Sequence, residues 1–292
     1  MILFCIFASL NLKKMTHPTP DFFPFLSSEQ EMEELTSVIR TTVNRYVRRY
    51  ALQSLVLGIS GGIDSALCAA LLRPVCEENR IPLIGRSITI ETNREDEIIR
   101  SIQVGENFCH DFTHLDLTPT FLENKKNLIC YDDSRLSKMR QGNMKARMRM
   151  MILFDLAQLY RGLVISTDNY TEYLTGFWTL HGDVGDYAPI MNLWKTEVYN
   201  LANFLLPEGN ALQREALQAC IEATPVDGLG ISQCDCEQLG VCNYFEADEI
   251  FIEYFNGNKK WEDHALIKRY KASEYKRNNP ANIPRMELIK SR

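Results

Sequence analysis

Histidine and excess positive charge are both scarce in this chain. The five histidines among 292 residues follow neither a metal-ligand spacing nor a nucleophile–histidine–acid triad pattern. The formal net charge is −6, from 32 basic and 38 acidic side chains, which argues against broad binding to nucleic acid. No internal repeat is present, and the length corresponds to one large domain or two small ones.

A long apolar segment is also missing. The apolar run at the amino terminus, M-I-L-F-C-I-F-A-S-L, is too short to span a bilayer. Lys13 and Lys14 follow this run, whereas a signal peptide carries its positive charges in front of it. We therefore expect no membrane partner, and we interpret residues 1–25 as an extension in which Met15 is the true start. A membrane-touching leader is the alternative, and residues 26–292 are expected to form a single domain.

The nine cysteines are an odd number and lie scattered, several of them in apolar segments. This usage indicates reduced thiols and predicts a cytoplasmic protein. Cys234, Cys236 and Cys242 form a C-x-C-x5-C cluster, which lacks the usual spacing of zinc ligands. We therefore expect no zinc site at this cluster.

One stretch, residues 54–74, combines a buried strand, a glycine turn and a helix that should end near Pro74. Its sequence is S-L-V-L-G-I-S-G-G-I-D-S-A-L-C-A-A-L-L-R-P. This geometry binds phosphate, because glycines allow close approach, turn N–H groups point inward and a helix N-terminus is partly positive. A carboxylate at Asp64 repels phosphates unless a cation lies between them, so we interpret Asp64 as a magnesium ligand. The alternative is an ordinary turn capped by Ser60 or Asp64, although a cap needs only one such residue.

Two common nucleotide-binding motifs are absent from this stretch. No G-K-S or G-K-T follows the glycines, and the G-x-G-x-x-G fingerprint of dinucleotide-binding proteins is missing. The remaining pattern resembles the pyrophosphatase loop of synthetases that split ATP into AMP and pyrophosphate. Their superfamily includes NAD synthetase, GMP synthetase, argininosuccinate synthetase and tRNA-modifying ligases, and the negative net charge argues against the last of these.

Apolar, β-branched runs alternate with helical segments along much of the chain. Strands are predicted at residues 55–59, 82–90, 113–117 and 163–167. Helices are predicted at residues 29–50, where Ser28 and Glu31 suit a capping box, and at 93–108, 142–162, 196–206, 245–255 and 263–275. This alternation predicts an α/β fold with a doubly wound, mostly parallel sheet and helices on both faces.

The helix expected from Gly142 carries a stripe of methionine and leucine. We interpret its apolar residues at helical spacing as core: Met144, Met148, Met151, Ile152, Leu156 and Leu159. Lys145 and Arg149 lie one turn apart and are expected to be solvated. Arg147 lies beside the stripe, where an arginine needs an anionic partner.

A second informative stretch, S-T-D-N-Y-T-E, follows the fourth predicted strand. Residues just past the strand C-termini line the ligand crevice of an open parallel sheet, so Thr167, Asp168 and Glu172 should lie near the phosphate loop. Asp64 and Glu172 could then share one magnesium ion, with capping and a solvated charge as the alternative for Glu172. Lys195 begins the next helix against the helix dipole, and we expect it to neutralise phosphate.

From about Leu26 to its C-terminus, the sequence resembles ammonia-dependent NAD synthetase. The landmarks occur in the order G-I-S-G-G-I-D-S, G-N-x-K-A-R, S-T-D-N-Y-T-E-x-x-x-G-F, G-D-x-x-D-x-x-P-I with a following lysine, D-G-L-G-I-S with E-Q-L-G, and E-Y-K-R. We find no amidase or nitrilase portion, so we expect the form that uses free ammonia. The resemblance implies an adenine nucleotide alpha hydrolase-like fold and a homodimer with its substrate site at the subunit interface.

The resemblance also implies a reaction and its residues. The nicotinate carboxylate of deamido-NAD attacks the α-phosphorus of ATP, magnesium pyrophosphate leaves, and ammonia converts the acyl-adenylate to NAD and AMP. Positions that match ATP contacts are Gly58, Ile59, Ser60, Gly61, Gly62, Ile63, Asp64, Ser65, Thr167, Lys195 and Val226. Positions that match deamido-NAD contacts are Arg147, Leu180, Asp186, Tyr275 and Lys276. Asp64 and Glu172 match the Mg²⁺ ligands, and Asp64 and Lys195 are the expected catalytic residues.

Three residues depart from the family's pattern. Leu180 replaces a substrate-binding lysine, Val226 replaces a frequent Thr or Ser near ATP, and Tyr275 replaces a histidine of many members. The change at Leu180 removes an anion contact of about 1.5–3 kcal/mol if that contact was hydrogen-bonded. An adenylating amidotransferase for another carboxylate therefore stays open. So does a nucleotide-binding sensor without catalysis, although Asp64 and Glu172 argue against a sensor.

Overall fold

A parallel four-stranded sheet forms the centre of the chain. The computed structural model describes residues 25–127, 132, 134–225 and 235–289. The strands are β1 (Leu55–Gly58), β2 (Leu83–Thr89), β3 (Asp111–Asp116) and β4 (Leu163–Ile165), in the order β3-β2-β1-β4. All three pairings are parallel, and Leu55 lies beside both Leu83 and Leu163. The predicted parallel α/β sheet is confirmed.

Helices surround the sheet within the described ranges. Those in the first part of the chain are α1 (Glu29–Arg49), α2 (Ile63–Asn79), α3 (Glu95–Phe108), α4 (Thr118–Lys126) and α5 (Arg135–Leu159). The next are α6 (Tyr170–Thr175), α7 (Lys195–Leu205), α8 (Ala211–Glu222), α9 (Asp235–Leu239) and α10 (Tyr244–Phe255). The last are α11 (Ala265–Ala272), α12 (Glu274–Arg277) and α13 (Arg285–Leu288). None of them is long and apolar enough to cross a bilayer.

The two faces of the sheet pack against different helices, because side chains alternate along each strand. Leu55 and Leu57 point into a core shared with α1, α2, α3, α7 and α8. Val56 and Val164 point into a second core, which includes Leu153 of α5. Helices therefore cover both faces, as the doubly wound prediction requires. A third apolar cluster joins α6 to α9, α10 and α11 beside the sheet.

The capping box predicted for the first helix is confirmed. The Ser28 side chain accepts from Glu31 N, and the Glu31 side chain accepts from Ser28 N. The prediction that the second helix ends near Pro74 is wrong, because α2 continues to Asn79. Pro74 has no N–H for the carbonyl of Ala70, and Arg40 donates to that carbonyl at 3.5 Å instead.

The rotational phase of α5 differs from the sequence prediction. Met148 is buried as expected, but Met151 is 60% and Leu159 67% exposed. Lys145, predicted to be solvated, is buried and pairs with Glu91 at 2.9 Å. The helix also begins seven residues earlier than expected, because Ser134 caps it and Gly142 packs in its interior. The other predicted helices and strands end within three residues of the observed bounds, except that the last predicted helix is divided into α11 and α12.

Candidate active site

A cavity of about 430 Å³ lies at the C-terminal ends of β1, β2 and β4. Ligands bind at this edge in open parallel sheets, because the strand ends and the following loops form a crevice there. Ten of the predicted site residues line it: Gly58, Ile59, Ser60, Gly61, Gly62, Ile63, Asp64, Thr167, Glu172 and Lys195. Lys276, predicted to contact the second substrate, also lines it.

The phosphate loop between β1 and α2 has the backbone geometry that the sequence predicts. Gly61 adopts a φ of +83°, and a Cβ there would lie 2.3 Å from the carbonyl oxygen of Glu97 in α3. Ser65 does not line the cavity but closes the loop, because its hydroxyl accepts from Ser60 N at 3.2 Å. The N-cap of α2 is Gly62, without a side-chain hydrogen bond, so the capping interpretation of Ser60 or Asp64 is wrong. First-turn N–H groups of α2 therefore remain available to an anion.

Asp64, Glu172 and Lys195 meet at one point of the cavity wall. Lys195 Nζ lies 2.5 Å from Asp64 Oδ2 and 3.1 Å from Glu172 Oε1. Asn169, the N-cap of α6, donates from Nδ2 to Asp64 Oδ1 at 2.8 Å. Burial alone lowers the pKa of Lys195, but the adjacent carboxylates of Asp64 and Glu172 outweigh burial, and the net pKa is raised. The lysine is therefore a permanent ammonium between two acids.

Asp168 is a fourth ionisable group on the cavity wall, and it is 7% exposed. Burial raises the pKa of its carboxyl to about 7, although the hydrogen bond that Ser166 Oγ donates at 2.7 Å lowers this pKa. The negative charges of Asp183 and Asp64 raise the pKa further. Asp168 therefore titrates near neutral pH.

Five arginines line the cavity and were missed as site residues by the sequence analysis: Arg86, Arg100, Arg135, Arg149 and Arg269. Arg86 of β2 pairs with Asp111 at 2.7 Å, and Arg100 of α3 donates to the carbonyl of Gly61 at 3.0 Å. Arg149 was expected to be solvated, but it donates to the carbonyl of Ile88 at 2.9 Å and lines the cavity. The one available signal was Arg86, a charged residue inside an apolar strand.

The structure does not bring the other predicted deamido-NAD residues into the cavity lining. Arg147 is exposed, and it donates from Nε and Nη2 to the carbonyl of Leu180 at 3.2 and 3.1 Å. Arg147 thus adjoins the buried residues Ala146 and Met148, but its partner is a carbonyl rather than the expected anion. Asp186 accepts from Val164 N at 3.0 Å at the edge of β4, and Tyr275 is 63% exposed. Val226 lies outside the described residues.

Two further polar groups in the lining are the Lys276 ammonium of α12 and the indole N–H of Trp178. Lys276 Nζ donates to the carbonyl of Gly176 at 2.7 Å, and it lies 5.5 Å from the ring centroid of Trp178. The buried Nε1 of Trp178 has no hydrogen-bond partner among residues 25–127, 132, 134–225 and 235–289. A buried N–H without a partner is costly, so this donor is available to a bound ligand.

The donor set suits a magnesium ion. Asp64 and Glu172 contribute hard carboxylate oxygens, which Mg²⁺ prefers, and both already point at a single cation. Over the part of the chain that the structure describes, no three His, Cys, Asp or Glu side chains form a metal-binding group. Mg²⁺ is commonly held by one or two carboxylates and substrate phosphates, so two carboxylates fit. Of the cysteine cluster, Cys234 lies outside the described residues, Cys236 is buried and Cys242 is exposed.

Comparisons with known proteins identify a family and relatives of this chain. A family model described as NAD synthase matches residues 35–280 of the chain. The NH(3)-dependent NAD(+) synthetase of Thermoplasma acidophilum is 30% identical over 260 residues, which cover 87% of this chain and 97% of that protein. The NH(3)-dependent NAD(+) synthetase of Finegoldia magna is 33% identical over 247 residues, with coverage of 84% and 92%.

Solved structures share the fold, which is adenine nucleotide alpha hydrolase-like. NMN synthetase from Francisella tularensis has a TM-score of 0.70 at 24% identity and covers 87% of this chain and 98% of its own. NH3-dependent NAD synthetase from Campylobacter jejuni has a TM-score of 0.66 at 23% identity, with coverage of 87% and 99%. Given the family match over most of its length, the chain belongs to the NAD synthase family, whose members are ligases that form a carbon–nitrogen bond.

Proposed function

We propose that this chain uses ATP and ammonia to amidate the nicotinate carboxylate of deamido-NAD, giving NAD, AMP and pyrophosphate. The family match and the names of its relatives support this activity. The structural observation that carries it is the convergence of the phosphate loop, Asp64, Glu172 and Lys195 on one cavity. The same convergence argues against a nucleotide sensor without catalysis, since such a protein has no need of a paired-carboxylate cation site.

The chemistry needs positioning and charge neutralisation more than acid–base catalysis. The substrate carboxylate forms a bond to the α-phosphorus of ATP, and the bond to the pyrophosphate oxygen breaks. Ammonia then attacks the acyl carbon, AMP leaves with its oxygen, and ammonia loses a proton. First-turn N–H groups of α2 and the Lys195 ammonium would bind the phosphate oxygens, and Trp178 Nε1 would donate to the second substrate.

Asp64 and Glu172 would hold a Mg²⁺ ion through their carboxylates. When bound, this ion neutralises phosphate charge in the transition state. The carboxylates are positioned without it, because Asn169 donates to Asp64 and the Glu172 backbone N donates to Asn169 Oδ1 at 3.0 Å. The Asn169 side chain therefore sets the spacing of the two acids.

A homodimer and a cytoplasmic location belong to the same proposal. Met151 and Leu159, about two turns apart on α5, are 60% and 67% exposed, and exposed apolar patches often mark protein–protein contacts. A second copy of this chain would cover them and would bring Arg147, on the same helix, close to the interface. Six free cysteines among the described residues agree with a reducing compartment.

A second candidate keeps the chemistry and changes the acid. Leu180 offers an apolar side chain where the family has a substrate-binding lysine, and its carbonyl is already bonded to Arg147. A smaller acid, nicotinate mononucleotide, has one phosphate group to bind, whereas deamido-NAD has two. One solved structure of this fold is an NMN synthetase, which makes the amide of that mononucleotide.

One assay distinguishes these functions. Purified protein is incubated with ATP, Mg²⁺, ammonia and either deamido-NAD or nicotinate mononucleotide, and AMP, NAD and NMN are measured by chromatography. We expect NAD and AMP in equal amounts with deamido-NAD and a loss of at least about 100-fold in Asp64→Asn. Turnover only with the mononucleotide supports the second candidate. ATP binding without AMP formation would contradict both.

A further inference from the structure

The Lys195 ammonium occupies the point at which the two proposed metal ligands converge. Its distances to Asp64 Oδ2 and Glu172 Oε1 are 2.5 and 3.1 Å. The Lys195 side chain is 4% exposed, whereas those of Asp64 and Glu172 are 16% and 18% exposed. The cation is therefore enclosed by the protein, while its two acids retain edges open to the cavity.

The backbone at Lys195 does not favour this positive charge. Lys195 is the first residue of α7, where the helix dipole repels a cation. Its N–H is held by Thr171 Oγ1 at 2.9 Å, and its Nζ lies 5.1 Å from the ring centroid of Tyr244. The carboxylates of Asp64 and Glu172 are thus the main compensation for a buried ammonium, which is unstable without anions. The ammonium can leave them only for another anion.

The charges decide what can join this group. With both carboxyls ionised, which is the state that binds a metal, Asp64, Glu172 and Lys195 together carry a net charge of −1. A divalent metal that bound the same two oxygens beside the ammonium would reverse this to +1 in a partly enclosed site, which is unfavourable. A triphosphate that arrives with the metal supplies the missing negative charge and a new partner for Lys195.

We propose that Lys195 is the built-in counter-ion of Asp64 and Glu172, and that it bars divalent metal from this site until nucleotide arrives. The metal then enters with ATP, and the Lys195 ammonium moves from the carboxylates to the phosphates. This inference deepens the proposed function and rests on it for the identity of the nucleotide. The inference is an order of binding: free divalent metal does not bind to the protein before nucleotide does.

Binding of Mn²⁺, followed by electron paramagnetic resonance in the absence of nucleotide, tests this order. We expect Lys195→Met to bind one Mn²⁺ at least about tenfold more tightly than the wild type, and the added change Asp64→Asn to abolish the gain. Lys145→Met is the matched control, because Lys145 is also a buried lysine but pairs with the single carboxylate of Glu91. It should bind Mn²⁺ like the wild type.

An unchanged Mn²⁺ affinity in folded Lys195→Met would overturn the proposal. If that variant does not fold, the wild type provides the test through its own Asp64→Asn variant. We expect Asp64→Asn to leave wild-type Mn²⁺ binding unchanged without nucleotide and to weaken it with a non-hydrolysable ATP analogue. Loss of Mn²⁺ binding without the analogue would refute the order of binding. These titrations contain no acid substrate, so they are independent of whether NAD is made.

Discussion

Substitution of Gly61 by alanine tests whether the phosphate loop depends on its contact with α3. At this residue φ is +83°, and a Cβ would meet the carbonyl oxygen of Glu97 at 2.3 Å and the backbone N of Ser101 at 3.1 Å. Both obstacles are backbone atoms of a helix, so they cannot turn aside as a flexible side chain would. The loop or α3 must therefore move.

The size of the effect has two parts. A left-handed backbone conformation costs alanine about 1–2 kcal/mol relative to glycine. The clash requires a movement of about 1 Å to restore ordinary contact, and a displacement of about 1 Å at a catalytic site can reduce the rate by about 100-fold. We therefore expect Gly61→Ala to lose more than 1 kcal/mol of unfolding free energy and about 100-fold in kcat/KM for ATP.

Gly257 provides a matched control. Its φ is +91°, but a Cβ there would have no atom within 4 Å. Gly257→Ala should show the conformational destabilisation of about 1 kcal/mol in urea unfolding and should retain wild-type turnover. Equal turnover in Gly61→Ala and Gly257→Ala would show that the contact with α3 does not position the loop for catalysis.

Two other predictions concern Asp248 and α5. Asp248 is fully buried, and burial raises its pKa to about 7 against the hydrogen bonds of Thr171 and Thr196. The native protein then binds more protons than the unfolded chain between about pH 4 and 7, so its unfolding free energy falls by up to about 4 kcal/mol as pH rises through that window. Urea unfolding at pH 5 and pH 8 should show a smaller fall in Asp248→Asn than in the wild type. An identical fall would contradict this assignment. For α5, light scattering of the wild type should give a mass of about twice 33.7 kDa. Met151→Asp should reduce this mass to that of the monomer, whereas Val38→Asp, which changes an equally exposed residue on α1, should not. A monomeric wild type would refute the homodimer.

The sequence predicted the central part of the site because local pattern and topology agree there. A strand, a glycine turn and a helix fix where Asp64 lies, and parallel strands place their C-terminal ends at one edge. The same topology predicts Glu172 and Lys195 at this edge, because Glu172 lies in the first turn of α6 and Lys195 is the first residue of α7, and both helices follow β4. The distances among these side chains depend on tertiary packing, so the spacing of the residues along the sequence does not determine them.

The helix that forms one wall of the cavity shows where sequence reasoning is insufficient. Apolar residues of α5 occur at so many positions that two rotational phases fit the pattern almost equally well. The choice depends on Glu91, which pairs with Lys145, and on the carbonyl of Ile88, which accepts from Arg149. Both partners lie more than 50 positions away along the chain, so no local signal could assign the buried face.

Pro74 illustrates a related limit. A proline inside a helix removes one hydrogen bond, and the sequence offered no sign that a side chain would replace it. Arg40 of α1 supplies donors to the carbonyls of Ala70 and Leu71. A substitution in one helix can therefore decide whether another helix continues.

The carboxylate of Asp248 also has a consequence for how far the chain can be shortened. It accepts hydrogen bonds from Thr171 Oγ1 at 2.5 Å and from Thr196 N at 2.9 Å, each next to a residue of the cation site. A fragment that stops ahead of α10 would still contain the loop, both acids and the lysine, but it would lose the bridge that Asp248 makes between α6 and α7. The smallest piece able to work is thus larger than the set of residues that touch nucleotide, because α10 supports the two helices that carry the acid and the lysine.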